Sequence, residues 1–324
     1  MTFMTMPAIY TGTGRQHCKE SVGESVGVRA SQRTRERGRG KMSGIVSRVS
    51  EGQTAVSCFI AAASFVLFQV LFHWGSALLS RPFCVDVAKM SRQAQIEWHS
   101  RVVSTAHACI VGPICLYLLW FDDGVNADPI WGDPSKVQIS IAITAGYLFS
   151  DLLVIFAYWR LVGDKLFVLH HAVALSSCFY VLQDGVLAYF ANFRQMAELS
   201  TPFVNQRWFL EVLGYQKSSR AYVWNGLAMS ASFFLARVAT MPVYYTRTLS
   251  WLGTEAEARL AWGHRLAWWL PSITLDLMNI VWMKKIARGC YRGLRHTFGK
   301  DSRPKITVEA TKRMPESLAN GKTD

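Results

Sequence analysis

Ionisable side chains inside long apolar segments are the residues of this chain whose types point most directly to chemistry. An ionisable group at the centre of a bilayer costs at least about 2.5 to 3.5 kcal/mol on insertion scales, so it requires a partner or a polar cavity. Nine residues meet this description: His73, His107, Asp151, His170, His171, Arg194, Glu198, Arg237 and Asp276.

Two of these residues, His170 and His171, are adjacent. Adjacent side chains on a helix point about 100° apart, so the pair is poorly placed to bind one metal ion unless another helix adds ligands. An imidazole in a cavity can act as a base or an acyl-accepting nucleophile when a carboxylate orients it. The alternative is that both rings only form hydrogen bonds between helices. The candidate orienting carboxylates are Asp151, Glu198 and Asp276.

The arginines suggest a second kind of chemistry. Arg194 and Glu198 are four residues apart, so on one helix we expect them to pair with each other. Arg237 can bind the phosphate or carboxylate of a lipid headgroup, or pair with Asp276. The predicted catalytic residues are therefore His170, His171, Glu198 and Asp151, and the predicted lipid-binding residues are Arg194, Arg237, Asp276 and Asn205.

The composition and the charge distribution indicate which class of protein carries these residues. Of the 324 residues, 51% are hydrophobic and only 18% are charged, which disfavours a soluble two-domain enzyme and excludes disorder of the whole chain. The net charge of +13 is concentrated at the ends: residues 1–53 hold nine Lys/Arg and four acids, and residues 284–324 hold eleven and four. The body between them is nearly neutral, so a nucleic-acid-binding face is not expected. The seven scattered cysteines have no CxxC spacing, and the sequence predicts no metal site and no cofactor.

Seven segments are long and apolar enough to be predicted as membrane-spanning helices. They are residues 54–79, 102–121, 137–159, 166–182, 186–204, 221–245 and 266–283. The fifth carries Arg194 and Glu198, and is retained because it preserves the alternation of Lys/Arg between successive loops. That alternation predicts a cytosolic C-terminus.

The N-terminal residues 1–53 are predicted to be a disordered basic tail. Their nine Lys/Arg conflict with the side of the membrane that the loops assign to them. Either a start at Met42 or a first segment that does not fully cross would remove the conflict.

Polar residues recur on one face of several predicted helices. The spacing places Ser140, Thr144, Tyr147, Asp151 and Tyr158 on one face of the third span. Similar stripes are Arg194, Glu198, Thr201 and Asn205 on the fifth span and Ser272, Asp276 and Asn279 on the seventh. One polar stripe per helix predicts an all-α multi-pass bundle with a central polar cavity.

Between residues 97 and 290 the chain resembles the TLC domain family, which includes translocating-chain-associating proteins and ceramide synthases. The strings that carry the resemblance are Glu97-Trp-His-Ser-Arg, Asp128-Pro-Ile-Trp-Gly, Gly146-Tyr-Leu-Phe-Ser-Asp151, Gly163-Asp-Lys, His170-His171, Gly185-Val-Leu-Ala-Tyr, Asn192-Phe-Arg and Glu198-Leu-Ser-Thr-Pro-Phe-Val-Asn-Gln-Arg-Trp. The resemblance implies a six-helix TLC bundle at 97–290, an additional N-terminal membrane helix at 54–79 and a basic cytosolic tail at 291–324.

The resemblance also implies residence in the endoplasmic reticulum membrane and a role in lipid homeostasis, with a membrane lipid as partner. In ceramide synthases, which are sphingolipid enzymes, adjacent histidines belong to the acyl-transfer site, and these correspond to His170 and His171. The family's second cluster, His-Asp-x-x-Asp, reads Ala197-Glu198-Leu-Ser-Thr201 here, so its histidine and one carboxylate are missing. We therefore expect a non-catalytic lipid-binding or lipid-moving protein, with an acyl-CoA-dependent N-acyltransferase as the alternative. The sequence does not specify an oligomeric state.

Overall fold

The computed structural model describes residues 52–81 and 86–298, and all regular elements in these ranges are helical. Contacts divide the chain into two units, Met1–Ala55 and Val56–Asp324. Of the first unit only residues 52–55, at the start of a helix, are described. The predicted disordered tail up to residue 51, and the cytosolic tail beyond residue 298, lie outside the described residues.

Nine principal helices follow one another along the described chain. They are α1 (Gly52–Ser80), α2 (Arg92–Phe121), α3 (Ser135–Ala157), α4 (Lys165–Asp184), α5 (Ala188–Gln195), α6 (Thr201–Val212), α7 (Arg220–Phe233), α8 (Thr240–Trp251) and α9 (Trp262–Phe298). A 3₁₀ turn, Met196–Ser200, joins α5 to α6, and a π-helical turn, Phe234–Val238, joins α7 to α8. A second π-helical turn, Leu71–Gly75, interrupts α1.

Five helical segments of the described chain are long and apolar enough to cross a membrane. They are Gly52–Ser80, Arg92–Phe121, Ser135–Ala157, Lys165–Asp184 and Arg220–Trp251. They contain the first, second, fourth and sixth predicted spans and all but the last two residues of the third. The fifth and seventh predicted spans are helical but are not among the five. A change of helix type interrupts the fifth, and a polar stripe lowers the hydropathy of the seventh. Whether these two cross the membrane stays a prediction.

Local sequence determines where several helices begin and end. The Ser91 hydroxyl caps α2 by accepting a hydrogen bond from the Ala94 backbone N–H at 3.3 Å. The Asp164 carboxylate caps α4 in the same way, accepting from the Leu166 N–H at 2.7 Å. Gly185 ends α4 with φ 69°, a left-handed conformation that glycine adopts without a steric penalty. These signals require no tertiary contact.

The loop between α2 and α3 is organised by two aspartates. The Asp128 carboxylate accepts hydrogen bonds from the backbone N–H groups of Ile130 and Trp131 at 2.9 and 3.0 Å. Asp133 accepts from the backbone N–H and the hydroxyl of Ser135 at 3.0 and 2.6 Å. These two bonds stabilise the charged carboxylate and so hold the pKa of Asp133 below its ordinary value.

The outside of the bundle carries large apolar side chains. Phe59 is 74% exposed, Trp120 73% and Trp262 76%. Contiguous apolar exposure of this kind is unfavourable in water but suits contact with lipid tails. The exterior therefore agrees with a membrane protein.

One close helix contact depends on a glycine. A Cβ atom added at Gly146 of α3 would lie 2.7 Å from Ser64 Cβ and 2.8 Å from the backbone nitrogen of Phe65, both in α1. Beside this contact, the Gln69 side-chain amide donates to the Ser150 hydroxyl at 3.0 Å. The absence of a side chain at Gly146 thus allows α1 to pack directly against α3.

We predict that Gly146→Ala lowers the free energy of unfolding by about 1 to 3 kcal/mol, because backbone atoms of α1 must move to admit the methyl group. Gly289→Ala is the matched control, since a Cβ there meets nothing within 4 Å and alanine favours a helix. Thermal unfolding of both variants in the same detergent measures the difference. Equal melting temperatures would show that the α1–α3 contact is not tight.

Candidate functional site

A cavity, called the central cavity below, lies inside the bundle among α3, α4, α5, α8 and α9. The 3₁₀ turn Met196–Ser200 and the π-helical turn Phe234–Val238 also line it. It contains about 1190 Å³ of empty space, counted out to its open side. Most of its wall is apolar, contributed by residues such as Leu148, Val181, Phe190, Trp268 and Leu275. The ionisable residues on the wall are His170, Tyr180, Arg194, Glu198, Arg237 and Tyr244, with Cys178. The interior is therefore less polar than the stripes predicted.

The eight predicted site residues divide into two groups of four. Those that line the cavity are His170, Arg194, Glu198 and Arg237. Those that do not are His171, Asp151, Asp276 and Asn205, each of which contacts other protein groups. The catalytic and lipid-binding roles stay predictions for both groups.

Arg194 pairs with Asp276, so the predicted Arg194–Glu198 pair is wrong. The two guanidinium N–H groups donate to the two Asp276 oxygens at 2.5 and 3.0 Å, joining α5 to α9. The guanidinium also lies 3.7 Å from the centre of the Tyr244 ring. The prediction assumed a continuous α-helix from 194 to 198, but the 3₁₀ turn begins at Met196 and changes the register.

Arg237 lies in the π-helical turn and makes hydrogen bonds to neutral groups. Its Nε donates to the Ser200 hydroxyl at 2.9 Å, Nη1 to Asn279 Oδ1 at 3.2 Å and Nη2 to the Thr201 hydroxyl at 3.3 Å. The alternative that Arg237 pairs with Asp276 is therefore wrong, because Arg194 occupies that carboxylate. Within residues 52–81 and 86–298, no carboxylate oxygen lies at ion-pair distance from Arg237.

Glu198 connects the arginine to a histidine that the site prediction missed. The Thr201 hydroxyl donates to Glu198 Oε2 at 3.0 Å, while it accepts from Arg237. The same carboxylate oxygen lies 3.7 Å from Nδ1 of His107. The His107 ring is fully buried and stacks on Tyr147 with centroids 4.1 Å apart. His107 was recognised as a buried ionisable residue, but no spacing signal linked it to Glu198, which lies on a distant segment.

His171 faces away from the cavity toward α3. Its Nδ1 lies 2.7 Å from the Phe167 carbonyl oxygen, and its Nε2 lies 2.9 Å from Asp151 Oδ2, off the N–H axis. Asp151 also accepts a hydrogen bond from the Ser100 hydroxyl at 2.9 Å. Both ring nitrogens of His171 therefore face acceptor atoms of the protein, and neither is directed into the cavity.

His170 points in a different direction from α4 and contributes to the cavity wall. Its ring lies 5.8 Å from the Trp282 ring, and its buried Nδ1 has no hydrogen-bond partner among the described residues. The angular separation of the two histidines thus directs one ring to the cavity and the other to Asp151. No group of three or more His, Cys, Asp or Glu side chains in the described chain is arranged to hold a metal ion.

Asn205 connects two helices instead of lining the cavity. Its Oδ1 accepts from Arg101 Nη1 at 3.1 Å, and its Nδ2 donates to the Thr105 hydroxyl at 3.0 Å. These bonds join α6 to α2. Asn205 does not share the cavity-facing side of Arg194, because the 3₁₀ turn separates the two positions, and its lipid contact stays a prediction.

Known proteins resemble the chain over most of its length. A family described as TLC domain matches residues 97–288. TLC domain-containing protein 4-B of Xenopus laevis is 54% identical over 245 residues, which is 76% of this chain and 94% of that protein. TLC domain-containing protein 4 of Homo sapiens is 43% identical over 274 residues, which is 85% of this chain and 100% of that protein. TLC domain-containing protein 2 of Homo sapiens is 28% identical over 193 residues, which is 58% of this chain and 69% of that protein. No solved structure matches.

We predict that Asp276→Asn lowers the free energy of unfolding by about 3 kcal/mol, because it leaves the largely buried Arg194 guanidinium without its counter-charge. The control is Asp86→Asn, which removes the partner of Lys89 in a pair whose side chains are 53% and 85% exposed. That change should cost less than about 1 kcal/mol. Thermal unfolding in detergent compares the two variants, and equal losses would contradict the structural role of the Arg194–Asp276 pair.

Proposed function

The chain belongs to the TLC domain family, and from this premise we propose that its cavity binds a membrane lipid with an anionic headgroup. The protein is a multi-pass membrane protein of a family associated with lipid-related functions. Its proposed role is to bind, sense or move that lipid in the endoplasmic reticulum membrane, as part of lipid homeostasis. The loop charges favour a cytosolic C-terminus.

The observation that carries the proposal is Arg237 at the wall of a mostly apolar cavity, with neutral hydrogen-bond partners only. A buried guanidinium is best stabilised by an oxyanion, and phosphate and carboxylate groups fit its planar donors in a bidentate manner. Glu198 lies one hydroxyl away, through Thr201, and offsets part of the charge. An anionic headgroup at Arg237 would complete the pairing.

The rest of the wall suits the acyl part of such a lipid. Phe190, Trp268 and Leu275 present apolar surface to the same space that Arg237 reaches. An acyl chain bound there is removed from water. This burial is favourable by about 25 cal/mol per Å² of apolar surface. The cavity therefore presents a cation together with apolar side chains, and an amphiphile needs both.

We predict that Arg237→Gln weakens lipid binding by about 10- to 100-fold, the range expected for loss of a hydrogen bond to a charged group. Arg237→Lys retains the positive charge and should weaken lipid binding less than Arg237→Gln does. Ala174→Phe should also weaken binding, because residue 174 lines the cavity and the ring would fill part of it. Native mass spectrometry of the purified protein, titrated with phosphatidic acid, measures each effect.

The matched control is Arg160→Gln, which removes an exposed arginine outside the cavity. The affinity of Arg160→Gln for phosphatidic acid should stay within about threefold of the wild-type affinity. Gel filtration and thermal unfolding establish that every variant is folded. Equal binding by the wild type, Arg237→Gln and Ala174→Phe would refute the cavity as the lipid site.

The alternative is an acyl-CoA-dependent N-acyltransferase, favoured by the partnerless Nδ1 of His170 at the cavity wall. In that reaction an imidazole nitrogen attacks the thioester carbonyl, the coenzyme A thiolate leaves, and an amine then takes the acyl group. His171 is poorly suited to this role because both of its nitrogens face acceptors.

We predict that purified protein forms no N-acyl product from acyl-CoA and a sphingoid base, because the carboxylate beside the histidine pair holds His171 and not His170. Liquid chromatography with mass spectrometry detects the product, and intact-mass measurement detects an acyl adduct. Product that is lost in His170→Ala but retained in His264→Ala would establish the enzyme instead. His264 is a suitable control because it pairs with Asp184, outside the cavity.

A further inference from the structure

A second cavity lies near one end of the bundle, among the end of α6, the first half of α7 and the C-terminal part of α9. We call it the basic groove. It contains about 1440 Å³ of empty space, counted out to its open side. Its lining residues include four cations and no acid: Arg207, Lys217, Lys285 and Arg292. None of the residues that line the central cavity takes part in it.

The cations of the groove are weakly neutralised by the protein. The nearest ion pair joins Lys217 Nζ to Glu211 Oε1 at 4.0 Å, with side chains 77% and 56% exposed, and such pairs contribute little. Arg207 is held by the Tyr222 ring, 3.4 Å from its guanidinium carbon, and donates one hydrogen bond to the Tyr222 carbonyl at 3.1 Å. The arginine is thus fixed in position and keeps further N–H donors. A fixed cation loses less side-chain entropy when it binds an anion.

Part of the lining of the groove is apolar, and we call these side chains its floor. They include Val223 and Leu227 of α7 and Ile286 of α9. Cβ atoms added at Gly289 and Gly293 of α9 would meet nothing within 4 Å, so the space beside these glycines is empty. Lys285 lies one turn before Gly289 on the same face of the helix. The groove therefore combines an apolar floor with the four cations, which we call its rim.

We propose that the basic groove is a second lipid site, which binds an anionic phospholipid whose headgroup carries phosphate monoesters. Basic pockets between membrane helices bind such headgroups, and each nearby Lys or Arg contributes about 1 kcal/mol to attraction. Four cations exceed the single net charge of phosphatidylserine, so a phosphoinositide is the better match. The apolar floor accounts for binding a lipid in preference to a free phosphate compound. This site is independent of the proposed function of the central cavity.

The test is native mass spectrometry of the full chain in neutral detergent, titrated with dioctanoyl phosphatidylinositol bisphosphate. The wild type should bind it at least about tenfold more tightly than phosphatidylcholine. Removal of two rim cations in the double variant Lys285→Gln/Arg292→Gln should weaken binding about 10- to 30-fold. Gly289→Leu keeps every charge but fills the floor, and should weaken binding about tenfold.

The matched control is Lys284→Gln/Arg288→Gln, which removes the same charge from the same helix at residues that do not line the groove. Its affinity should stay within about threefold of the wild type. In the Arg237→Gln background, which removes the anion contact of the central cavity, Lys285→Gln/Arg292→Gln should weaken binding by the same factor, so failure of one site is distinguishable from failure of the other. Gel filtration and thermal unfolding confirm that each variant is folded.

Three results would overturn the proposal. Equal losses in the groove variant and the Lys284/Arg288 control would show only a diffuse attraction to the basic helix. Full affinity in Gly289→Leu would show that the ligand does not enter the groove. Equal affinity for inositol trisphosphate, which has no acyl chains, would show that the ligand is a soluble polyanion and not a lipid.

Discussion

An ionisable side chain buried in an apolar helix bundle has to find a polar partner, because neither lipid nor packed hydrocarbon solvates its charge. This constraint accounts for much of the arrangement inside the protein. Arg194 binds Asp276 across α5 and α9, and His171 lies against Asp151 across α4 and α3. The first pair joins helices distant in sequence, and the second joins two consecutive helices. The pairs therefore fix helix positions as well as neutralise charge.

Among the described residues Arg237 has no carboxylate at ion-pair distance, and it lies where helix geometry is irregular. The π-helical turn that carries it and the 3₁₀ turn that carries Glu198 are packed against each other. Irregular helical turns direct side chains away from the positions of a regular α-helix and are frequent at functional sites. Here they bring Arg237, Thr201 and Glu198 together at the wall of the central cavity. The proposed headgroup site results from these two turns.

Within residues 52–81 and 86–298, two cavities carry cations without a close carboxylate partner, and their surroundings differ. Arg237 is a single cation within a mostly apolar internal cavity, whereas the basic groove has four cations around an open apolar floor. A buried single cation selects for a small bidentate anion, and an open cluster selects for a more highly charged one. The two proposed sites therefore differ in ligand chemistry as well as in position.

Much of the architecture was predictable from sequence because it depends on local or averaged properties. Apolar runs of about 20 residues indicated the membrane helices, and five of them lie in described helices long and apolar enough to cross a membrane. The motif strings indicated the TLC domain family, which the comparisons confirmed. Helix spacing correctly separated His170 from His171, because adjacent residues on a regular helix must point in different directions. These inferences require only hydropathy, helix periodicity and short sequence patterns.

The partners of the buried charges were decided by the tertiary structure. Spacing suggested that Arg194 would pair with Glu198, but the turn at Met196–Ser200 departs from α-helical geometry and Asp276 approaches from α9. His107 reaches Glu198 only because α2 packs against the same turn. The sequence by itself determined which segments are helical and which of their residues are ionisable, but not which are buried, since His73 is exposed. The pairing of the charged side chains depends on distances between segments far apart in the chain. Those distances are fixed only when the helices pack.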